Sequence, residues 1–108
     1  MHLTVCKIGE ATKLTNLQIV NSERLNELSL SNNTYLRKLD LEGNKALVQT
    51  IALTNCPNLK ELNLSNSAIT GVILPSGAPI NTLNLSNTNI GSLILENLYS
   101  LANYDANK

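Results

Sequence analysis

Apolar residues recur along this chain in one phrase, apolar-x-x-apolar-x-apolar, restarted roughly every eleven residues and present ten times. The first anchors are Leu3, Leu14, Leu25, Leu36, Val48, Leu59, Ile69, Ile80, Ile90 and Leu101. The second anchors are Cys6, Leu17, Leu28, Leu39, Ile51, Leu62, Val72, Leu83, Leu93 and Tyr104. The third are Ile8, Ile19, Leu30, Leu41, Leu53, Leu64, Leu74, Leu85, Leu95 and Ala106. The closing apolar-x-apolar pair has period two, the spacing of a strand with one buried face. Each copy therefore predicts a short strand. Polar turns follow, such as Ser31-Asn32-Asn33-Thr34, Thr54-Asn55-Cys56-Pro57-Asn58 and Pro75-Ser76-Gly77-Ala78-Pro79. Asn tolerates the left-handed conformation and bonds its own backbone, so these segments have a turn mechanism. No stretch shows a sustained helical stripe.

One copy is too short to wrap a core, and two copies reach the length of a solenoid coil. Taken alternately, the copies differ. Those starting at Leu3, Leu25, Val48, Ile69 and Ile90 run eleven residues to the next anchor, and the others vary from ten to twelve. One coil then holds one regular and one variable half. The prediction is a β-rich, right-handed solenoid of about five coils, with short parallel sheets on two sides and little or no helix. Leu47 beside Val48 is a surplus residue and predicts a local bulge.

The segments Leu59-Lys60-Glu61-Leu62-Asn63-Leu64-Ser65-Asn66-Ser67-Ala68-Ile69 and Ile80-Asn81-Thr82-Leu83-Asn84-Leu85-Ser86-Asn87-Thr88-Asn89-Ile90 carry a resemblance. Both resemble the leucine-rich repeat segment L-x-x-L-x-L-x-x-N-x-L, with Ser67 and Thr88 in the place of its Asn. Residues 36–44 keep that Asn, as Asn44. The doubled phrase is similar to the nested-period type of bacterial and phage repeats. The resemblance implies that Asn33, Asn44, Cys56, Ser67 and Thr88 form an inward ladder that satisfies turn amides. Ala11, Gly77 and Leu98 stand at the same ladder position and cannot do so, which predicts different bonding in those turns.

Composition removes several functions. The formal net charge is zero, which gives no electrostatic case for nucleic acid or an anionic membrane. No apolar run approaches transmembrane length. Residues 1–13 carry Lys7, Glu10 and Lys13 and lack the apolar region of a signal peptide. Cys6 and Cys56 sit two coils apart, about 10 Å at strand spacing, beyond disulfide reach, so both read as reduced core thiols. The single histidine, His2, reads as a tail residue, and no cysteine pair or second histidine supplies metal spacing. No Ser has a His and an acid placed to activate it. The glycosylation-like triplets at Asn32, Asn63 and Asn84 are expected by chance in a chain this rich in Asn and Ser. The reading is therefore non-enzymatic, with no cofactor and no metal.

Two outward ladders carry the remaining information. On the variable halves, Gln18, Asp40, Asn63, Asn84 and Asp105 lie between the paired anchors, beside Arg37, Lys38, Glu42, Lys60 and Glu61. This face reads either as a solvated sheet with cross-strand charge pairs or as a binding patch, with Arg37, Lys38, Asp40, Lys60, Glu61, Asn63 and Asn84 as its candidate residues. On the regular halves the ladder runs Lys7, Ser29, Ala52, Ile73 and Ile94, from charged to apolar. Residues 62–95 contain no Asp, Glu, Lys or Arg. Ile73 and Ile94 are candidate contacts for another domain or subunit through the C-terminal half, or are isolated exposed residues that a surface tolerates.

Residues 1–108 read as one solenoid. The near absence of capping segments points to a fragment or a domain of a larger protein, or to an end-to-end assembly. The expected function is an interaction or structural module that presents side chains to a protein or glycan. A phage tail or other virion protein is one setting, and a bacterial surface or secreted adhesin-like protein is the other. The sequence leaves localisation open; a chain excised from a larger protein would sit on the virion or the bacterial cell surface. The register predicts that Leu62→Ala and Leu83→Ala are strongly destabilising, at about 2–5 kcal/mol. It predicts that outward Asn63→Ala costs well under about 1 kcal/mol.

Overall fold

A computed structural model describes residues 5–7, 13–30, 33–75, 77–90 and 103–105. Within them the chain forms nine three-residue strands and no helix. They are β1 (Val5–Lys7), β2 (Asn16–Gln18), β3 (Glu27–Ser29), β4 (Lys38–Asp40), β5 (Thr50–Ala52), β6 (Glu61–Asn63), β7 (Gly71–Ile73), β8 (Thr82–Asn84) and β9 (Asn103–Asp105). All pairings among the described strands are parallel, and each but β8–β9 joins alternate strands, as a coil requires. The solenoid expectation holds in type. From β2 to β8 the chain makes about three turns, so a count of five is high for the described coil.

The middle residue of each strand is the second anchor of the phrase. Leu17, Leu39, Leu62 and Leu83 stand in register along one side, and Ile51 pairs with Val72 on the other. The anchors close on one aliphatic core that includes Leu25, Leu36, Leu41, Leu53, Leu59, Leu64, Ile69 and Ile80. Aromatic bulk is absent because a coil interior of this width is filled by side chains stacked from the coil above and below.

One anchor assignment is corrected. Leu47 is fully buried, whereas Val48 is 63 % exposed. The extra residue therefore falls after the anchor, so Ile51 stands four positions after Leu47 instead of three. The surplus lies in a half that the sequence marks as regular. A tight turn absorbs it, with the Val48 N–H donating to the Ala46 carbonyl (3.1 Å).

The two sides of the coil respond differently to that residue. The side built from variable halves is one five-stranded sheet, β2-β4-β6-β8-β9. The opposite side is two separate pairs, β1-β3 and β5-β7. Between them every Cα of β3 lies more than 8 Å from every Cα of β5. The Gln49 side chain spans the gap: its Oε1 accepts from the Leu28 N–H (3.1 Å) and its Nε2 donates to the Leu28 carbonyl (2.9 Å).

The corners are held by polar side chains. Asn44 Nδ2 donates to the Leu41 and Ile19 carbonyls, both at 2.7 Å, and its Oδ1 accepts from the Ser22 N–H (3.2 Å). Ser67 and Thr88 donate to the carbonyls three residues back, Leu64 (2.6 Å) and Leu85 (2.8 Å). Asn33 and Cys56 are buried in the same ladder. In the coil holding Gly77, the inward position belongs to Ala78, which is buried and donates its N–H to the Pro75 carbonyl. Gly77 is exposed at a positive φ of 76°. Ala11 and Leu98 lie outside the described residues.

Candidate functional site

The five-stranded side presents the broadest ordered surface. Its outward residues form two rows in register, Asn16, Lys38, Glu61 and Thr82, and Gln18, Asp40, Asn63 and Asn84, and Asn103 and Asp105 of β9 hold the next register positions. Lys38 faces Glu61 directly, an opposite-charge pairing across parallel strands. Arg37 and Lys60 precede β4 and β6 and are stacked by a backbone bond, Lys60 N–H to the Arg37 carbonyl (2.7 Å). Arg37, Lys38, Lys60 and Glu61 are exposed. Among the candidate polar residues, these four extend into solvent.

Asp40, Asn63 and Asn84 do something else. Each closes an Asx turn, in which the side-chain oxygen accepts a backbone N–H two residues on. Asp40 Oδ1 accepts from the Glu42 N–H (3.1 Å). Asn63 Oδ1 accepts from the Ser65 N–H (3.0 Å) and hydroxyl (2.7 Å). Asn84 Oδ1 accepts from the Ser86 N–H (3.1 Å) and hydroxyl (2.8 Å). The Asn-x-Ser triplets at Asn63 and Asn84 thus have a structural cause. Gln18 Nε2 also reaches Asp40 Oδ2 (3.4 Å), which links neighbouring coils across the face.

Three further asparagines were not singled out by motif reading. Asn21, Asn66 and Asn87 adopt positive φ, and Gly43 takes the equivalent corner with a φ of 80°. The shared signal is a column of Asn or Gly four residues after the middle anchor. Their N–H groups continue the inter-coil bonding: Asn21 to Glu42 (2.8 Å), Gly43 to Ser65 (3.0 Å) and Asn66 to Ser86 (2.9 Å). Asn87 Nδ2 donates to Asn66 Oδ1 (2.9 Å), the first step of an amide ladder. At Gly43, a Cβ would collide with Asn21 Oδ1, so glycine makes room for that side chain.

Concavities among the described residues include the following three. A shallow one of about 60 Å³ lies on the β4–β6–β8 face and includes Lys38, Asp40, Glu61 and Asn63. It is far below the roughly 300–1,000 Å³ of small-molecule sites. A corner cleft of about 330 Å³ is lined by Lys45, Asn66, Ser67, Ala68, Asn87 and Asn89. The third, about 200 Å³, occupies the gap between β3 and β5. Among the described residues, no cluster of His, Cys, Asp and Glu has the arrangement to hold a metal ion. Among the described residues no helix is long and apolar enough to cross a membrane.

Ile73 is 49 % exposed on β7, next to Ala52 of β5. Ile94 and His2 lie outside the described residues. Cys56 is a free, buried thiol, and desolvation pushes its pKa up.

No curated protein and no solved structure matches the chain. A family model described as Leucine Rich Repeat matches residues 58–78. That match begins before β6, ends after β7, and covers one coil of the solenoid. The same coil recurs on both sides of it, with leucines in register and buried Asn33, Asn44, Ser67 and Thr88 at the corners. The coil at residues 58–78 is thus similar to a leucine-rich repeat, and its neighbours share its strand register.

Proposed function

We propose that this leucine-rich repeat is a protein-interaction module that reads its partner with the β4–β6 face. The observation that carries the reading is the division of labour on that face. Asp40, Asn63 and Asn84 hold the turns, which leaves Arg37, Lys38, Lys60 and Glu61 projecting from a backbone fixed on both sides. A rigid solenoid loses little freedom when such side chains are engaged. Repeats of this family typically act as interaction modules rather than as enzymes.

A glycan partner is the second reading. It rests on the corner cleft, where Asn66, Asn87 and Asn89 supply paired amide donors and acceptors beside Lys45. For setting, we propose a virion or adhesin-type surface protein. Its support is the likeness of the doubled repeat to bacterial and phage repeats, together with a second half rich in Asn, Ser and Thr and free of charge over residues 62–95.

The test is retention of a partner by the immobilised chain, compared with the triple variant Arg37→Glu, Lys38→Glu, Lys60→Glu. The variant is expected to keep the wild-type circular dichroism and melting temperature and to lose a protein that the wild type retains. Equal retention by both chains overturns the face assignment. Retention of arrayed glycans but of no protein, abolished by Asn87→Ala, replaces the first reading with the second.

A further inference from the structure

The sheet opposite the polar face lacks one rung, and the gap has the dimensions and bonding of a strand position. Neighbouring parallel strands stand about 4.8 Å apart, so one strand inserted between two others separates them by about 9.6 Å. The Cα atoms of β3 and β5 are all more than 8 Å apart, against direct pairing at every other step of the described coil. The space between them is a cleft of about 200 Å³, walled by residues 28–30 and 49–52.

Its walls present main-chain groups. The Gln49 carbonyl accepts from the Thr70 N–H, and the Leu53 N–H donates to the Ile73 carbonyl, so this edge of β5 serves β7. Successive residues of a strand direct their N–H and C=O groups to opposite sides, which turns those of Thr50 and Ala52 toward the gap. On the far wall, the Leu28 N–H and C=O are both bound by the carboxamide of Gln49. A carboxamide has the planar donor and acceptor of a peptide bond. The gap therefore already holds one peptide-like group, tethered to the coil.

We propose that this gap is a docking slot for an extended, uncharged peptide segment of a partner protein, which enters as the missing parallel rung and displaces the Gln49 carboxamide. The segment's central residue would donate its N–H to the Thr50 carbonyl and accept from the Ala52 N–H. The residues before and after it would bond the Leu28 N–H and carbonyl in place of Gln49. The lining carries no charge, and the adjoining outward residues Val48 and Ile73 are apolar and exposed, which selects against charged segments. Main-chain bonding of this kind is how strand addition secures a partner peptide.

This deepens the interaction reading at a second surface, with Arg37, Lys38 and Lys60 on the opposite side of the coil. The probe is a synthetic peptide copying residues 79–87, Pro-Ile-Asn-Thr-Leu-Asn-Leu-Ser-Asn, which is uncharged and forms a rung, β8, in this chain. Titrated into the full chain and followed by amide chemical shifts, it is expected to move the Leu28, Thr50 and Ala52 resonances. Methylating the peptide nitrogen of its central leucine is expected to weaken binding about tenfold, because the Thr50 carbonyl loses its donor. Gln49→Ala is expected to tighten binding several-fold by removing the internal competitor. The inference is overturned by an absence of shifts at millimolar peptide, by shifts confined to the five-stranded face, by indifference to methylation, or by equal or weaker binding to Gln49→Ala. The triple charge-reversal variant is expected to bind the peptide as wild type does, so failure of the polar-face reading leaves this result standing, and the reverse.

Discussion

The two sides of this coil are written in the same phrase, yet one is a continuous five-stranded sheet and the other is interrupted. On the continuous side, successive strands start at residues 16, 38, 61 and 82, intervals of 22, 23 and 21. The 23-residue interval contains the surplus beside Leu47, and the sheet passes over it unbroken. What distinguishes that side is the residue ending each strand. Asp40, Asn63 and Asn84 clamp the following turn with side-chain bonds. The equivalent positions on the other side are Ser29, Ala52 and Ile73, which have no carboxamide or carboxylate for such a turn. A solenoid tolerates length variation where its turns are unclamped, and expresses it there as a missing rung.

Truncation inside the core is expected to ignore this distinction. Leu62→Ala on the continuous side and Ile51→Ala on the interrupted side should each destabilise by about 2–5 kcal/mol in chemical denaturation. Both side chains lie in one core, so a much milder effect at Ile51 would show that the interrupted side is loosely packed.

Removing a clamp should tell the sides apart. Asn63→Ala takes the acceptor from the Ser65 N–H and hydroxyl, and Ser65 is buried. The expected loss is about 1–3 kcal/mol, since buried donors are left unpaired. This revises the small effect that an outward position by itself implies. Ala52→Ser, at the matching place on the other side, should stay within about 0.5 kcal/mol.

Deleting Val48 should erase the difference. With two residues left between Leu47 and Ile51, β5 gains the anchor spacing of the other copies. The expected outcome is pairing of β3 with β5, read as slower hydrogen exchange at the Ala52 amide by about fivefold for one net hydrogen bond. Unchanged exchange there would mean that the gap has another cause.

The smallest effect is expected from pH. Burial raises the Cys56 pKa in the folded state, so the folded chain holds that proton more tightly than the unfolded chain. The resulting stability is present below the ordinary thiol range and is lost as pH climbs through the raised value. Melting temperatures of wild type and Cys56→Ser should therefore converge as the solution becomes alkaline. A pH-independent difference would contradict the desolvation argument.

Local patterning was enough to place the strands. The second anchors Leu17, Leu28, Leu39, Ile51, Leu62, Val72 and Leu83 are the middle residues of seven strands. The resemblance also pointed to positions where Asn44, Ser67 and Thr88 bond turn carbonyls. The polar face was legible as a row of residues, but its roles were not. Asp40, Asn63 and Asn84 look like Lys38 and Glu61 in a list of outward positions. Only the turn geometry separates side chains committed to their own backbone from those that meet solvent. Val48 was misread because two adjacent apolar residues satisfy the phrase equally well.

Period two and an eleven-residue restart by themselves determined a coil of short parallel strands around aliphatic anchors, because each polar-apolar alternation admits one burial pattern. The tertiary structure decided which of Leu47 and Val48 enters the core, and with it the loss of a rung between β3 and β5. It also decided that Gln49 bonds Leu28. The physical reason is distance along the chain. Residues 28 and 49 meet only when successive coils stack, and the hydrogen bonds between coils are set by that stacking and not by any neighbour in sequence.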